Sequence, residues 1–218
     1  MGKRVILFDL DGTLHDSEAV YVNAFEATFM DHKDRPLSPE ERAYLVGKPL
    51  ERVLDQWLPD KKASFLPSFF KNYESLSHLC KPYEGVLPVI QGLYDQDYKL
   101  GIVSSKIGKY VKAEMESTGL LPYFQEFVCV DDVKNPKPDA EPILAILDRM
   151  GGADQSTCLF IGDQWSDMTA AKNAGITGVG ATWGEGEAAK LLEHGARYIL
   201  TEPHKLFHLL QLKFTHVS

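Results

Sequence analysis

The chain has 218 residues, 44% of them apolar and 25% charged, and a formal net charge of −8 at pH 7. This composition suits an ordinary globular protein with one large core and room for a modest accessory domain. The acidic balance excludes nucleic acid and anionic membrane as the main partner, and any anion this protein handles needs a local cation beside it.

The first element is Val5-Ile6-Leu7-Phe8, an uninterrupted apolar run of the kind found in a strand buried on both faces of a parallel sheet. It runs directly into Asp9-Leu10-Asp11-Gly12-Thr13. Asp9 then stands at the carboxyl end of a strand, where open α/β sheets place their ligands. If the backbone stays extended, Asp9 and Asp11 turn to the same side. Two carboxylates so close raise each other's pKa, and a divalent cation held by oxygens, for which Mg²⁺ is the natural fit, relieves the repulsion.

Residues 15–82 read as helical throughout, with no strand. A helix starts at Ser17-Glu18 and runs to about Met30, and Ser38-Pro39-Glu40-Glu41 opens a second with proline just inside the cap. Leu50 to Leu58 is a short helix after Gly47-Lys48-Pro49, and a fourth carries Phe65, Phe69, Phe70 and Tyr73 on its apolar side. From Pro82 the signal alternates. Strands are expected over Leu100–Ser104, Glu126–Val130, Thr157–Ile161, Thr177–Ala181 and Tyr198–Leu200. The helices between and after them are Val86–Tyr94, Tyr110–Leu120, Asp139–Met150, Ser166–Ala174, Glu187–His194 and His204–Leu212. Such alternation means βαβ units and a parallel sheet. The expected fold is a doubly wound α/β core over 1–14 and 83–218, with an all-helical cap domain over 15–82 inserted after the first strand. No apolar run approaches the roughly 20 residues of a membrane span, and the N-terminus carries no signal peptide. Cys80, Cys129 and Cys158 lack metal-ligand spacing and read as reduced thiols, which implies the cytoplasm.

Other strand ends carry polar groups toward the same edge. Ser104-Ser105-Lys106 follows one strand, and Gly162-Asp163-Gln164-Trp165-Ser166-Asp167 follows another. Asn135-Pro136-Lys137-Pro138 comes after a third. In a parallel sheet these ends share one edge and can converge on Asp9. At this point the chain resembles the haloacid-dehalogenase-like phosphohydrolase superfamily. Asp9-Leu10-Asp11-Gly12-Thr13 looks like its first motif, Ser104 its second, Lys137 its third, and Gly162-Asp163 with Asp167 its fourth. The four occur in the expected order over essentially the whole chain, most like the phosphoglycolate-phosphatase-like branch.

The resemblance implies a phosphatase acting on a small phosphorylated metabolite, with Asp9 as nucleophile and Asp11 as general acid and base. Mg²⁺ would be held by Asp9, Asp163 and the backbone carbonyl of Asp11. Asp167 would bind it through water or orient the other ligands. Lys137, Ser104, Ser105 and Thr13 would hold the phosphoryl oxygens. The helical insert would close over the site and select the leaving group, with Lys48 and Arg42 as its candidate anion contacts. Three of these readings have a plainer rival: Ser104 or Asp167 as a helix cap, and Lys137 as a solvated loop lysine. His15 reads as a polar loop residue, and Trp165 and Trp183 as packing. Two enzymes of the same superfamily compete for the function, a pyrophosphatase and a β-phosphoglucomutase. The mutase is disfavoured because Ser17–Tyr21 lacks its cap histidine. A dehalogenase lacks the acid that Asp11 supplies, and so does a phospho-aspartate signalling module.

Overall fold

The run Val5–Phe8 (β1) is buried at every residue and pairs with a strand on each side, so it lies inside the sheet as its composition requires. The computed structural model describes residues 4–46, 48 and 50–214. In chain order β1 is followed by β2 (His15–Asp16), then α1 (Glu18–Lys33), α2 (Pro39–Leu45), α3 (Leu50–Trp57) and α4 (Lys62–Leu76). Next come β3 (Lys81–Pro82), α5 (Val86–Asp95), β4 (Lys99–Val103), α6 (Gly108–Ser117), β5 (Glu126–Val128) and α7 (Glu141–Arg149). The chain finishes with β6 (Leu159–Gly162), α8 (Trp165–Asn173), β7 (Thr177–Ala181), α9 (Ala188–Glu193), β8 (Tyr198–Leu200) and α10 (Lys205–Phe214).

Two units result, one running up to Asp16 and resuming at Lys81, the other spanning Ser17–Cys80. The first is built on a six-stranded sheet ordered β5-β4-β1-β6-β7-β8, parallel at every pairing. The chain steps outward from β1 through β4 to β5, then returns to the other side of β1 and steps outward again. The strand order therefore reverses beside β1, which makes its carboxyl end the crevice of a doubly wound sheet. The alternation along β1 divides the core. Ile6 and Phe8 pack with residues of α5, α6 and α10, while Val5 and Leu7 pack with α7 and α8.

The Ser17–Cys80 unit is four α-helices with short 3-10 turns among its described residues. Its aromatic stripes form its core, with Phe25 and Phe65 fully buried and their ring centroids 5.0 Å apart. Ser38 closes a capping box with Glu41 at the start of α2, as the sequence signals. Ser17 stands at the N-cap of α1, but its side chain does not close that cap.

Three expectations are corrected. Residues 15–82 do contain strand: β2 and β3 pair antiparallel, and the chain leaves and re-enters the larger unit through them. Two-residue strands are too short to show a period. β5 stops at Val128 because the Asp132 carboxylate takes the Cys129 N–H at 2.8 Å, turning the chain into a 3-10 helix. β6 starts only at Leu159 because Asp154 caps a 3-10 turn over Gln155–Thr157.

Leu7 is fully buried in the middle of β1. Leu7→Ala is expected to lower stability by roughly 2–5 kcal/mol, the range for deleting a buried leucine side chain. A drop in the urea midpoint at unchanged slope would show it; an unchanged midpoint would contradict the packing described.

Candidate active site

All the polar strand ends named from the sequence lie at one edge, because every strand of the sheet runs the same way. Asp9 follows β1, and its backbone N–H still donates to Ile161 O at 2.8 Å. Beyond it the chain turns. The N–H groups of Leu14 and His15 both donate to Leu10 O, at 2.8 and 2.9 Å. Asp9 and Asp11 consequently meet different partners.

Lys137 serves Asp9. Its ammonium donates to Asp9 Oδ1 at 2.9 Å, Asp167 Oδ1 at 2.6 Å and the Val103 carbonyl at 3.1 Å. The Lys137 side chain is only 3% exposed, which rules out a solvated loop lysine. Asp167 accepts a second bond at its Oδ2 from the Gln164 N–H, 2.9 Å away, and so also caps α8. Asp163 is held by the Thr13 hydroxyl at 3.1 Å and the Gln164 side-chain amide at 2.7 Å. Asp9, Asp163 and Asp167 are all buried, each with a carboxylate oxygen within 4.8 Å of the others'. Glycines make this crowding possible. A Cβ on Gly12 would strike the Asp163 carboxylate, and one on Gly162 would strike that of Asp167. Gly12 also has a φ of +78°, a conformation that L side chains rarely adopt.

The electrostatics follow from three carboxylates around one ammonium. Burial pushes the Asp9 carboxyl well above its ordinary range; Lys137 pulls it down, while Asp167 and Asp163 push it up. Burial, reinforced by Asp167, drives Asp163 up to about 7 against the pull of Gln164, Thr13 and Lys137. Burial works against the Lys137 ammonium, but Asp167 and Asp9 outweigh it and its pKa is raised. A cluster with an excess of buried negative charge and several carboxylate oxygens within reach of one point is suited to a hard divalent cation. Lys137 engages Oδ1 of Asp9, whereas both oxygens of Asp163 and both of Asp167 already accept a hydrogen bond.

Asp11 has its own lysine, which the sequence reading left without a role. Lys106 donates to Asp11 Oδ1 and to Glu114 Oε2, each at 2.7 Å. Glu114 lies on α6 and is fully buried, and so is His15. The expectation that His15 is a polar loop residue is therefore wrong. Its backbone pairs in β2, and its Nε2 lies 3.0 Å from the Thr118 hydroxyl. Glu114 did leave a trace in the sequence. It sits on the stripe of Tyr110, Val111 and Met115, where a charge is out of place. Ser104, also buried, does not cap α6; its hydroxyl accepts the Lys106 N–H at 3.1 Å, with Ile107 at the N-cap and Ser105 exposed between them. Trp183 is more than packing, since its indole N–H donates to the Thr13 carbonyl at 2.8 Å. Trp165 is partly exposed beside His194.

The cap candidates lie in the helical unit. Arg42 is engaged there by Glu26 and by Asn23 at 3.1 Å. Lys48 is exposed, its ammonium 5.8 Å from the Tyr44 ring centre; its neighbours Gly47 and Pro49 lie outside the described residues. No helix of the described residues is long and apolar enough to cross a membrane. The three cysteines are buried, and burial pushes the Cys158 thiol up to about 11.

A reversal point of a doubly wound sheet that gathers an aspartate, a buried lysine and further acids defines a phosphatase-type hydrolase. The chain belongs to the haloacid dehalogenase-like hydrolase family, whose model matches residues 6–181. It is 33% identical over 215 residues to the pyrophosphatase PpaX of Bacillus velezensis, spanning 97% of this chain and 99% of that one. The PpaX of Listeria welshimeri is 35% identical over 196 residues, 88% of each chain. A haloacid dehalogenase-like hydrolase of Streptococcus pneumoniae superposes with a TM-score of 0.82 at 25% identity, covering 96% of this chain and 99% of that one.

The carboxylates make a pH-dependent prediction. A free aspartate titrates near 3.9, whereas Asp163 in the fold titrates at about 7. Without a cation, the folded protein holds a proton that the unfolded chain releases between those values. Stability is then full below about pH 4 and declines as the pH rises toward 7. A divalent cation on these carboxylates would compete with that proton, and Mg²⁺ is the one to test. Its effect on Tm should therefore be small at about pH 5 and several degrees at about pH 8. An equal shift at both pH values would contradict a cation on these carboxylates.

Proposed function

We propose that this protein is a Mg²⁺-dependent phosphohydrolase that takes the phosphoryl group of a small phosphate compound onto Asp9 and passes it to water. The observation that carries this reading is the Asp9 carboxylate, fixed by Lys137 at the reversal point of the sheet and flanked by Asp163 and Asp167. In the first step an Asp9 oxygen attacks phosphorus and the bond to the leaving oxygen breaks. Asp11 delivers the proton that the leaving oxygen needs. In the second step Asp11 withdraws a proton from water as that water attacks the phosphorus on Asp9; the bond between phosphorus and the Asp9 oxygen breaks, releasing phosphate and restoring the Asp9 carboxylate.

The side chains of Asp9 and Asp163, with the backbone carbonyl of Asp11, would hold Mg²⁺, which supplies charge neutralisation at the phosphoryl oxygens. Asp167 keeps Lys137 aimed at Asp9 and would add negative charge beside the cation. Thr13 acts through its bond to Asp163. Ser104, with Ser105 beside it, offers hydroxyl and N–H donors to the phosphoryl oxygens. Phosphoryl transfer asks chiefly for positioning and charge stabilisation, which is what these groups provide. The helical unit, with Lys48, is the candidate for excluding water and selecting the leaving group.

Pyrophosphate is the first substrate to test, because the chain resembles the PpaX pyrophosphatases over nearly its whole length. Phosphoglycolate, implied by the motif resemblance, is the comparison. The experiment is phosphate release from pyrophosphate, phosphoglycolate and a panel of sugar phosphates, with Mg²⁺ and with chelator. Release that chelator abolishes is expected, and the preferred compound names the substrate. Asp9→Asn should lower turnover by at least about a thousandfold in a protein that still unfolds cooperatively. Substantial Mg²⁺-dependent release by that variant would remove Asp9 from the chemistry.

A further inference from the structure

The Asp9 cluster leaves a second group of buried charges at the same edge unexplained. Lys106 bridges Asp11 and Glu114 with two 2.7 Å contacts, and Glu114 touches none of Asp9, Lys137, Asp163 or Asp167 among the contacts described. Its burial is complete, yet its Oε1 has no hydrogen-bond partner among the described residues. His15 Nδ1, 3.7 Å from Glu114 Oε2, is likewise without one. A fully buried acid that is only half satisfied is poor structural material, since an apolar side chain at that point of α6 would fill the space at less cost.

What Glu114 does is fix a lysine. A lysine side chain is flexible and has no preferred direction of its own. Here it is drawn taut between a carboxylate on a helix and the carboxylate of Asp11. The turn that carries Asp11 is tied to the same helix end by a second thread. The Thr118 hydroxyl gives its proton to the Glu114 carbonyl at 2.8 Å, so its contact with His15 Nε2 at 3.0 Å has the imidazole as donor. The His15 carbonyl in turn accepts the Gly12 N–H at 3.0 Å. Backbone and side chain of the Asp11 turn are thus both referred to α6, one through His15 and Thr118, the other through Lys106 and Glu114.

We propose that Glu114 and Lys106 are positioning residues for Asp11, holding its carboxyl group where it meets the leaving oxygen. This rests on the reading of Asp11 as the proton donor given above. Asp11 is the most exposed of the site's carboxylates, with 36% of its side chain accessible, so burial alone does not fix its carboxyl group. Proton donation depends steeply on such placement.

A series of substituted phenyl phosphates separates positioning from a merely structural role. p-Nitrophenolate leaves readily without a proton, while unsubstituted phenoxide needs one. The quantity to compare is kcat/KM, which reports the first transfer and not the later attack of water. Glu114→Gln keeps the shape and removes the charge that fixes Lys106. It should lower kcat/KM on phenyl phosphate about tenfold or more and on p-nitrophenyl phosphate by less than about threefold. Asp11→Asn should show the same steepening, larger. An equal fall on both esters for Glu114→Gln, alongside a steepened Asp11→Asn, would overturn the positioning role and leave the acid in place. A flat response from Asp11→Asn would remove the acid reading and this proposal with it. If Glu114→Gln does not fold, the double replacement Lys106→Met with Glu114→Met removes both buried charges together and must show the steepened dependence in its place.

Discussion

Three carboxylates crowd together at the carboxyl end of β1 with one buried ammonium, which touches two of them, and the rest of the core unit is arranged to tolerate that imbalance. Water would ordinarily separate such charges, but here Asp9 and Asp163 are each less than a tenth exposed and Asp167 is sealed. The backbone makes room with Gly12 and Gly162, where any side chain would displace a carboxylate. The Thr13 hydroxyl and the Gln164 amide give Asp163 the donors it would have had from water. These bonds orient the cluster without neutralising it, and the raised pKa values of Asp9 and Asp163 measure what is left over. That surplus of buried negative charge is what a divalent cation would relieve, which is why the proposed function includes one.

Two lysines hold the acids in separate groups. Lys137 is sealed against Asp9 and Asp167, whereas Lys106 reaches Asp11 from α6. Two acids separated by one residue would otherwise interact mainly with each other. The turn after Asp9, with its paired hydrogen bonds to the Leu10 carbonyl, sends them to different partners. Each lysine favours the ionised form of the acid it touches, so what the division supplies is position: Asp9 is fixed from the α7 side of the sheet edge and Asp11 from α6.

The sheet was legible because its strands are short apolar runs punctuated by helical periods, and a parallel sheet gathers its carboxyl ends without further instruction. Asp9, Asp11, Ser104, Lys137, Asp163 and Asp167 could be named on that basis. Ser104 and Asp167 also show where local and long-range bonds compete. Ser104 bonds to the Lys106 N–H instead of capping α6, and Asp167 both caps α8 and grips Lys137. The group formed by His15, Lys106, Glu114 and Thr118 was not legible. It depends on a two-residue strand that periodicity cannot detect and on a contact between residues 103 positions apart. The one available signal was a glutamate on the apolar face of α6, and a single residue out of pattern does not name its partner. Strand ends missed by two residues at β5 and β6 have a similar origin, since a carboxylate there bonds to the backbone and ends or delays the ladder.

The most direct test of the central claim is to find the phosphoryl group on Asp9. The protein is mixed with radiolabelled substrate and Mg²⁺, quenched in acid within one turnover, digested and mapped. Label on the peptide containing Asp9, released by hydroxylamine as an acyl phosphate must be and absent after Asp9→Asn, is the expected result. Full phosphate release within that turnover, with no label on the Asp9 peptide at any quench time and none gained when the attack of water is slowed by Asp11→Asn, would contradict it.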